Sequence, residues 1–488
     1  MNLLARSLAR HAATRPDAPA LAAADRTLTY GELYLRATSI AGHLSRLGIG
    51  RGHLVGIVTE KQSDTVAAMV ATGFVGAAYV PLDPTAPMLR ARSVLDEVDP
   101  AIVLGTAAQY EPLPEHYVSL DRVSGAPAEP VEVDPEAPCY VLYTSGSSGR
   151  PKGAVISFGA VAAFFEAVDR LMSVRPGSRC LNTSALHFDV SLVDLFYPLN
   201  QGAAVHLGGS VPIPGMVLRR IQDERITHMA VVGSTLTMLA EMGAGLDAWD
   251  LTSLEKIMTG AEVLRPQTVQ KWLHAAPGSV VINGYGPTET TCLVTAEVIA
   301  ERDLDRSRPY PIGTALEGSD ITFLDARGEV SAAGPGEILI GGAQVMNDYL
   351  KPSPGQDPFL TVDGKRYYRS GDWGLRRADG RIEFHGRRDA EVKLRGYRVN
   401  LGEVESVVES HPRVPEAVVF VTDAPDRRII CAYRAADSAS AEAIAEFTSR
   451  RLPRYMRPEA WIPVDPWPRL ASGKPDRKTI RSLCSERV

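Results

Sequence analysis

No run of about 18 uncharged apolar residues occurs in the chain, so a transmembrane helix is not expected. Cysteine is scarce. The five residues, Cys139, Cys180, Cys292, Cys431 and Cys484, are scattered without a CxxC pair. That scatter argues against a disulfide framework or a zinc site and fits a reducing cytoplasm. The opening MNLLARSLARHAATRPDAPAL lacks the long apolar stretch and small-residue cleavage site of a secretory signal. Its Leu3, Leu4 and Leu8 are instead spaced as one face of an amphipathic helix. Excess positive charge is missing too: the net charge is -6, which argues against nucleic acid as the main partner. There is no G-x-x-x-x-G-K-[ST], so the P-loop NTPase reading fails. Internal repeats are lacking, and the only compositional bias is the Ala/Ser-rich 435–443.

What remains is a globular composition, 45% hydrophobic and 23% charged, in a chain of 488 residues. That length exceeds one ordinary core and predicts two or more domains. Apolar runs at 53–58 and 101–104 read as buried parallel strands, and 64–75 carries helical periodicity. The alternation predicts an α/β, multi-layered amino-terminal domain. After about 375 the texture changes, with Arg376, Arg377, Arg381, Arg387, Arg388, Lys393, Arg395 and Arg398 in a glycine-rich stretch. A helix at 401–410, a hairpin pairing 417–422 with 428–434, and a helix at 440–451 follow. The boundary is placed near Asp389, with 1–388 as the large domain and 389–488 as a small α+β domain.

The strongest local signal is YVLYTSGSSGRPKG, from Tyr140 to Gly153. An apolar strand ends in the hydroxyls of Thr144, Ser145, Ser147 and Ser148, followed by glycines and Lys152. Glycines let the backbone curl so that several N–H groups face one anion, the hydroxyls add donors, and lysine supplies compact positive charge. This stretch resembles the phosphate loop of the adenylate-forming superfamily, which includes nonribosomal peptide adenylation domains, acyl-CoA ligases and luciferases. The resemblance continues in order through LTYGEL (28–33), GAAYVPLDPTAP (76–87), HFDVSLVDLF (187–196), NGYGPTETT (283–291), GEILIGG (336–342), YRSGD (368–372), GRRDAEVKLRGYRVNLGEVE (386–405), LPRYMRP (452–458) and SGKPDRK (472–478).

The resemblance implies a two-step reaction. A carboxylate attacks the α-phosphate of ATP to give an acyl-adenylate and pyrophosphate, and a thiol then attacks that anhydride. Tyr285 would stack on adenine beside Gly260 and Ala261, Asn283 would meet the adenine amino group, and Thr288 would contact phosphate. Glu289 would hold Mg²⁺ as a hard oxygen ligand. Asp372 and Arg387 would serve the ribose hydroxyls. Lys474 would bridge the substrate carboxylate and the α-phosphate, a cation at developing charge. Asp389 would be the hinge of a mobile carboxy-terminal lid, with Lys393 and Gly396 facing the pantetheine arm during thiolation.

Asp189 matches the residue that pairs with the substrate α-ammonium in amino-acid adenylation domains, a contact usually lacking in fatty-acyl and acetyl-CoA ligases. Val190, Val193, Thr235, Met258, Gly260, Gly284, Cys292 and Leu293 fall on the pocket-lining positions of that family. With no charge beyond Asp189 and Lys474, the accepted side chain is expected to be neutral. The two glycines are read as room near the adenylate, with Met258 and Leu293 closing the far end. The expectation is a small L-amino acid: alanine, glycine or serine, then proline or valine. Gly260 stands where D-alanine–carrier ligases typically carry cysteine, which favours the L-form. Cys292 reads as a wall thiol rather than a nucleophile.

Several positions depart from the common pattern. Phe158 replaces a frequent histidine, Ser148 a threonine, Asn347-Asp348-Tyr349 an Arg-Gly-Tyr, and Pro475 an isoleucine. No LGGDS-like site follows SGKPDRK and no HHxxxDG motif precedes, so the expected protein is a free-standing enzyme whose phosphopantetheine carrier is another polypeptide. The basic 376–398 stretch could meet an acidic carrier or be a solvated face. Neither nucleic acid nor membrane is an expected partner. The cytoplasm is the expected location, and antibiotic-type biosynthesis is an analogy from the family. The alternatives are an acyl- or aryl-CoA ligase, a D-alanine–carrier ligase, and an inactive nucleotide-binding regulator.

Overall fold

The computed structural model describes residues 2–106, 116–144, 151–209, 213–243, 245–352, 357–387, 391–423, 427–435, 440–470 and 475–485. By contacts the chain forms two compact units. The first comprises Met1–Pro84, Val98–Leu142 and Gly153–Arg388, and the second Thr85–Glu97, Tyr143–Lys152 and Asp389–Val488. This differs from the sequence assignment of all of 1–388 to one domain. Two short segments group with the carboxy-terminal residues, and within that unit Arg90 Nη1 donates to the buried Glu403 Oε1 at 2.6 Å.

The first unit is built on three sheets. Among the described residues the largest has nine strands, with Pro19–Ala22, Ala204–Leu207, Arg179–Asn182, His228–Val232, Lys256–Gly260 and Val280–Tyr285 parallel in that order. Helices such as Gly233–Glu241 and Pro266–Ala275 connect these strands, as parallel neighbours require a crossover. A second sheet centres on Leu54–Val58, Ala78–Leu82 and Ile102–Gly105, all parallel. The strand Pro138–Thr144 joins it beside Ala78–Leu82. The third sheet is antiparallel throughout and includes Gly336–Gly342, Lys365–Arg376 and Ile382–Arg387.

Local chemistry explains several boundaries. In LTYGEL the Thr29 hydroxyl accepts from the Glu32 backbone N–H while the Glu32 carboxylate accepts from the Thr29 N–H. This capping box opens the helix Tyr30–Arg46. The first helix, Leu3–Thr14, buries Ala5, Ser7, Leu8 and His11, while Leu3 and Leu4 stay half-buried. The leucine face read in the sequence is the inward one: Leu8 is fully buried, and Leu3 and Leu4 pack against the core. On the same side the buried His11 ring is hydrogen-bonded to the Asn200 carbonyl at 3.1 Å.

In the second unit, Glu416–Val421 pairs antiparallel with Ile429–Arg434, which pairs parallel with Ala460–Pro463. Strand alternation sorts its two faces. Val419 and Cys431 pack with Val404 and Val408 of the helix Leu401–Glu409. Val418, Phe420 and Ile430 pack with Ile480 and Cys484 of the helix Arg477–Ser485. Among the described residues no helix is long and apolar enough to cross a membrane.

Candidate active site

The carboxy ends of Lys256–Gly260 and Val280–Tyr285 lie side by side, with Thr259 opposite Asn283 and Gly260 opposite Gly284. Ligands of open α/β sheets gather at such carboxyl edges. Past Tyr285 the chain turns through Gly286 and Pro287 into the short 3₁₀ turn Thr288–Thr290. Four candidate residues, Asn283, Tyr285, Thr288 and Glu289, therefore leave one strand edge in quick succession.

Each of them is held by a distant partner. The Tyr285 hydroxyl, on a nearly buried ring, donates to Asp372 Oδ2 at 2.6 Å. Asp372 Oδ1 accepts from Arg387 Nη1 at 3.0 Å. That pair exists because Asp372 lies directly opposite Arg387 across the antiparallel strands Lys365–Arg376 and Ile382–Arg387. Burial and the adjacent Asp372 carboxylate push the Tyr285 phenol well above its ordinary range, so it stays a donor. Asn283 Nδ2 donates to the Pro311 carbonyl at 2.8 Å, which leaves Oδ1 as the acceptor on that side chain. The fully buried Glu289 accepts from the Tyr349 hydroxyl at 2.9 Å. Thr288 Oγ1 donates to Asp189 Oδ2 at 2.6 Å.

Asp189 sits on a turn just before the π-helix Leu192–Phe196, the kind of irregular turn that recurs at functional sites. Val190 is half-buried, whereas Val193, Met258, Cys292 and Leu293 are buried. Thr235 lies in the first turn of Gly233–Glu241 and is half-buried. Ala261, Thr291 and Cys292 all hold positive φ, at 65°, 57° and 74°. Such strain in non-glycine residues concentrates at functional sites and needs compensation. Gln344 supplies it: its Nε2 donates to the Leu293 carbonyl at 2.6 Å, and its own backbone carbonyl accepts from the Thr291 hydroxyl at 2.7 Å. Burial and the nearby Asp189 push the Cys292 thiol well above its usual range, which disfavours the thiolate a nucleophile needs.

The AMP-binding enzyme model matches residues 8–350, and the AMP-binding enzyme C-terminal domain model matches 403–474. The chain belongs to the AMP-binding enzyme family. Chondramide synthase cmdD of Chondromyces crocatus is 34% identical over 96% of this chain, which spans 13% of that protein's length. Novobiocin biosynthesis protein H of Streptomyces niveus is 33% identical, covering 95% of this chain and 80% of that protein. PA1221, a nonribosomal peptide synthetase protein containing adenylation and PCP domains, superposes with a TM-score of 0.85 at 25% identity, over 100% of this chain and 98% of that chain. The fold is also that of o-succinylbenzoate CoA synthetase from Bacillus subtilis, with a TM-score of 0.86 at 23% identity over 98% of both chains. The chain thus belongs to the adenylate-forming superfamily and is similar to the adenylation domains of nonribosomal peptide synthetases.

Ser145, Ser147, Ser148, Asp389 and Lys474 lie outside the described residues. Thr144 ends the strand Pro138–Thr144 and Lys152 begins Lys152–Ser157, the neighbouring strand of the same sheet. Lys393 and Gly396 lie on the hairpin Glu391–Leu394/Tyr397–Asn400. The turn of that hairpin holds Arg395 and Gly396 both at positive φ, 51° and 80°. That is the backbone a two-residue turn of the primed type demands.

One sequence reading is corrected. Gly260 and Gly284 do not leave open room. A Cβ at Gly260 would stand 2.5 Å from the Gly284 carbonyl oxygen, and one at Gly284 would stand 2.7 Å from Leu293 Cδ2. The glycines let protein approach protein: the Gly284 backbone fills the space beside Gly260, and Leu293 the space beside Gly284.

Sequence reasoning also missed residues. Gln344 and Tyr349 carry no chemistry of their own, although Tyr349 survives in the altered Asn347-Asp348-Tyr349 and was the available signal. Asp194 adds a charge that the pocket reading did not include. It is buried within electrostatic reach of Cys292 and accepts from Asn182 Nδ2 and Ser184 Oγ, both at 2.7 Å. The Thr183 and Ser184 backbone N–H groups also donate to it, both at 3.1 Å.

Burial pushes the Asp194 carboxyl up to about 6, against the pull of Ser184, Lys61 and Asn182. Burial likewise lowers the Lys61 ammonium to about 8. For a carboxyl raised from 3.8 to about 6, the folded state binds the proton more tightly than the unfolded chain. Its contribution is therefore fully present below about pH 4 and lost as pH rises through about 6. At about 1.4 kcal/mol per pKa unit, the stability of the wild type relative to Asp194→Asn should fall by roughly 3 kcal/mol between about pH 4 and 7. Denaturant unfolding of both proteins across that range checks it, and a flat or rising difference would contradict the raised carboxyl.

Proposed function

We propose that this enzyme activates a small neutral L-amino acid as its aminoacyl-adenylate and loads it onto the phosphopantetheine thiol of a carrier protein. The observation that carries the reading is Asp189. It is an acidic side chain held by Thr288 within electrostatic reach of the buried Cys292, which shares an apolar cluster with Val190, Val193, Met258 and Leu293. An ammonium group satisfies such a carboxylate, and an acid lacking the amine offers it no counter-charge. The filling of the space beside Gly284 by Leu293 supports glycine, alanine or serine over proline or valine.

In the first half-reaction a substrate carboxylate oxygen bonds to the α-phosphorus and pyrophosphate leaves with its electron pair. In the second, the pantetheine thiolate bonds to the acyl carbon and AMP leaves. Tyr285, Gly260 and Ala261 would hold the adenine, with Asn283 Oδ1 accepting from its amine. Asp372 would accept from the ribose hydroxyls with Arg387 at its side, and Thr288, Thr144, Ser145, Ser147, Ser148 and Lys152 would hold the phosphates. Glu289 suits Mg²⁺. It is a single buried carboxylate, and Mg²⁺ is commonly held by one or two carboxylates together with substrate phosphates and water. Among the described residues no group of three or more His, Cys, Asp or Glu forms a metal cage. The cation would offset phosphate charge. Lys474 would neutralise the carboxylate and α-phosphate, with Asp389 as hinge and Lys393 and Gly396 serving the thiolation step.

ATP–pyrophosphate exchange across the proteinogenic L-amino acids, D-alanine, β-alanine, acetate and o-succinylbenzoate tests the proposal. Highest exchange with L-alanine, glycine or L-serine is the expected result. Preference for an acid without an amine would make it a CoA-ligase-type activity, and none at all an inactive nucleotide binder.

Gly284→Ala adds a test of pocket shape. The flexible Leu293 end must swing away from the new methyl group. Exchange with L-alanine should fall about tenfold relative to glycine, the scale of one methylene in an apolar pocket. An unchanged ratio would remove Leu293 from the pocket wall.

A further inference from the structure

The hydrogen bond between Thr288 Oγ1 and Asp189 Oδ2 joins residues 99 positions apart. It also joins two roles that the proposed function keeps separate, nucleotide contact and amine contact. A threonine hydroxyl has one proton and donates to one acceptor at a time, and an ionised carboxylate only accepts. Thr288 opens the turn that carries Glu289, a few residues beyond Tyr285 of the adenosine cradle. If a phosphate oxygen takes the Thr288 proton, Asp189 loses a donor in a half-buried position. A substrate ammonium brings three N–H donors and can replace it.

We propose that the Thr288 hydroxyl is shared between Asp189 and the nucleotide, so that ATP and the amino acid each favour the binding of the other. The proposal rests on the adenylating reading of the site. Nucleotide binding draws the hydroxyl from Asp189 and leaves that carboxylate ready for an amine. Amine binding gives Asp189 other donors, so that losing the hydroxyl to phosphate costs it less. Coupling of this kind is reciprocal, so either ligand measures it.

The reciprocal relation allows a test that needs no knowledge of the amino acid. The probe is the non-hydrolysable α,β-methylene analogue of ATP with Mg²⁺, titrated calorimetrically into the full-length protein. In the wild type the nucleotide must break the Thr288–Asp189 bond. Asp189→Ala frees the hydroxyl, so the analogue should bind about 3- to 10-fold tighter, within the usual range of site-to-site coupling. In a Thr288→Val background the same Asp189→Ala change should alter affinity less than about twofold, because no hydroxyl remains to be released. Thr288→Ser keeps the donor and should keep the coupling. Asp189→Asn keeps the shape and serves where alanine compromises folding, with a smaller gain of the same sign.

Equal tightening in the wild-type and Thr288→Val backgrounds would mean simple relief of charge repulsion, and the shared-donor proposal would be wrong. Unchanged or weaker binding by Asp189→Ala would also overturn it. A wild type that binds the analogue but shows an additive cycle refutes only this coupling. A wild type that binds no nucleotide at all refutes the adenylating reading as well.

Discussion

Asp372→Ala is expected to lower ATP–pyrophosphate exchange by about 10³-fold and to destabilise the fold by about 3–5 kcal/mol. Asp372 is fully buried and is the common acceptor for Arg387 at 3.0 Å and the Tyr285 hydroxyl at 2.6 Å. Removing it deprives the nearly buried Arg387 guanidinium of this carboxylate and takes the same acceptor from the Tyr285 hydroxyl. Breaking one side of a buried ion pair costs far more than the pair contributes. The functional loss adds a second cause, because the acceptor proposed for the ribose hydroxyls is gone. Each hydrogen bond to a charged group carries about 1.5–3 kcal/mol, so two account for the rate effect. Asp372→Asn separates the causes. It preserves volume and one acceptor oxygen but not the charge opposite Arg387, so only part of the stability should return while exchange stays impaired. The wild type should also discriminate against 2′-deoxy-ATP and 3′-deoxy-ATP, and Asp372→Asn should lose part of that discrimination. A variant that discriminates as well as the wild type would remove Asp372 from ribose recognition.

Lys474→Ala is expected to reduce adenylate formation by about 10²–10³-fold while thiolation from a supplied aminoacyl-adenylate continues. Two anionic groups, the substrate carboxylate and the α-phosphate, must approach each other in the first half-reaction. A cation between them lowers that barrier, because its stabilisation grows as charge builds on the phosphorus oxygens. In the second half-reaction a thiolate attacks an already activated acyl group, and the first cation is not needed in the same way. Single-turnover measurements of each half with separately prepared adenylate distinguish the two. Equal loss in both halves would count against this division and assign Lys474 a general binding role.

Much of this enzyme was legible locally. The strands at 54–58 and 102–105 and the helix at 63–74 follow from apolar runs and helical periodicity. The hairpin of Glu416–Val421 with Ile429–Arg434 follows from two apolar runs around a turn. The order of motifs from LTYGEL to SGKPDRK marks the adenylate-forming family, and FDVS resembles the amino-acid branch within it. Motifs are readable because each packs its chemistry into a short stretch whose backbone geometry is local.

Other features emerge only when distant strands come together. Tyr285 and Asp372 are 87 residues apart, Thr288 and Asp189 are 99, and Tyr349 and Glu289 are 60. Which side chains meet depends on strand register, and one residue of slip would send Arg387 to the opposite face from Asp372. The glycines of the pocket show the same limit. By sequence, Gly260 and Gly284 mean small; only in three dimensions does Leu293 fill the space beside Gly284, and the Gly284 carbonyl the space beside Gly260. Family and α/β class can be read from the chain alone, because they depend on local pattern. The pairings that orient the site residues come from long-range packing, which no local pattern encodes.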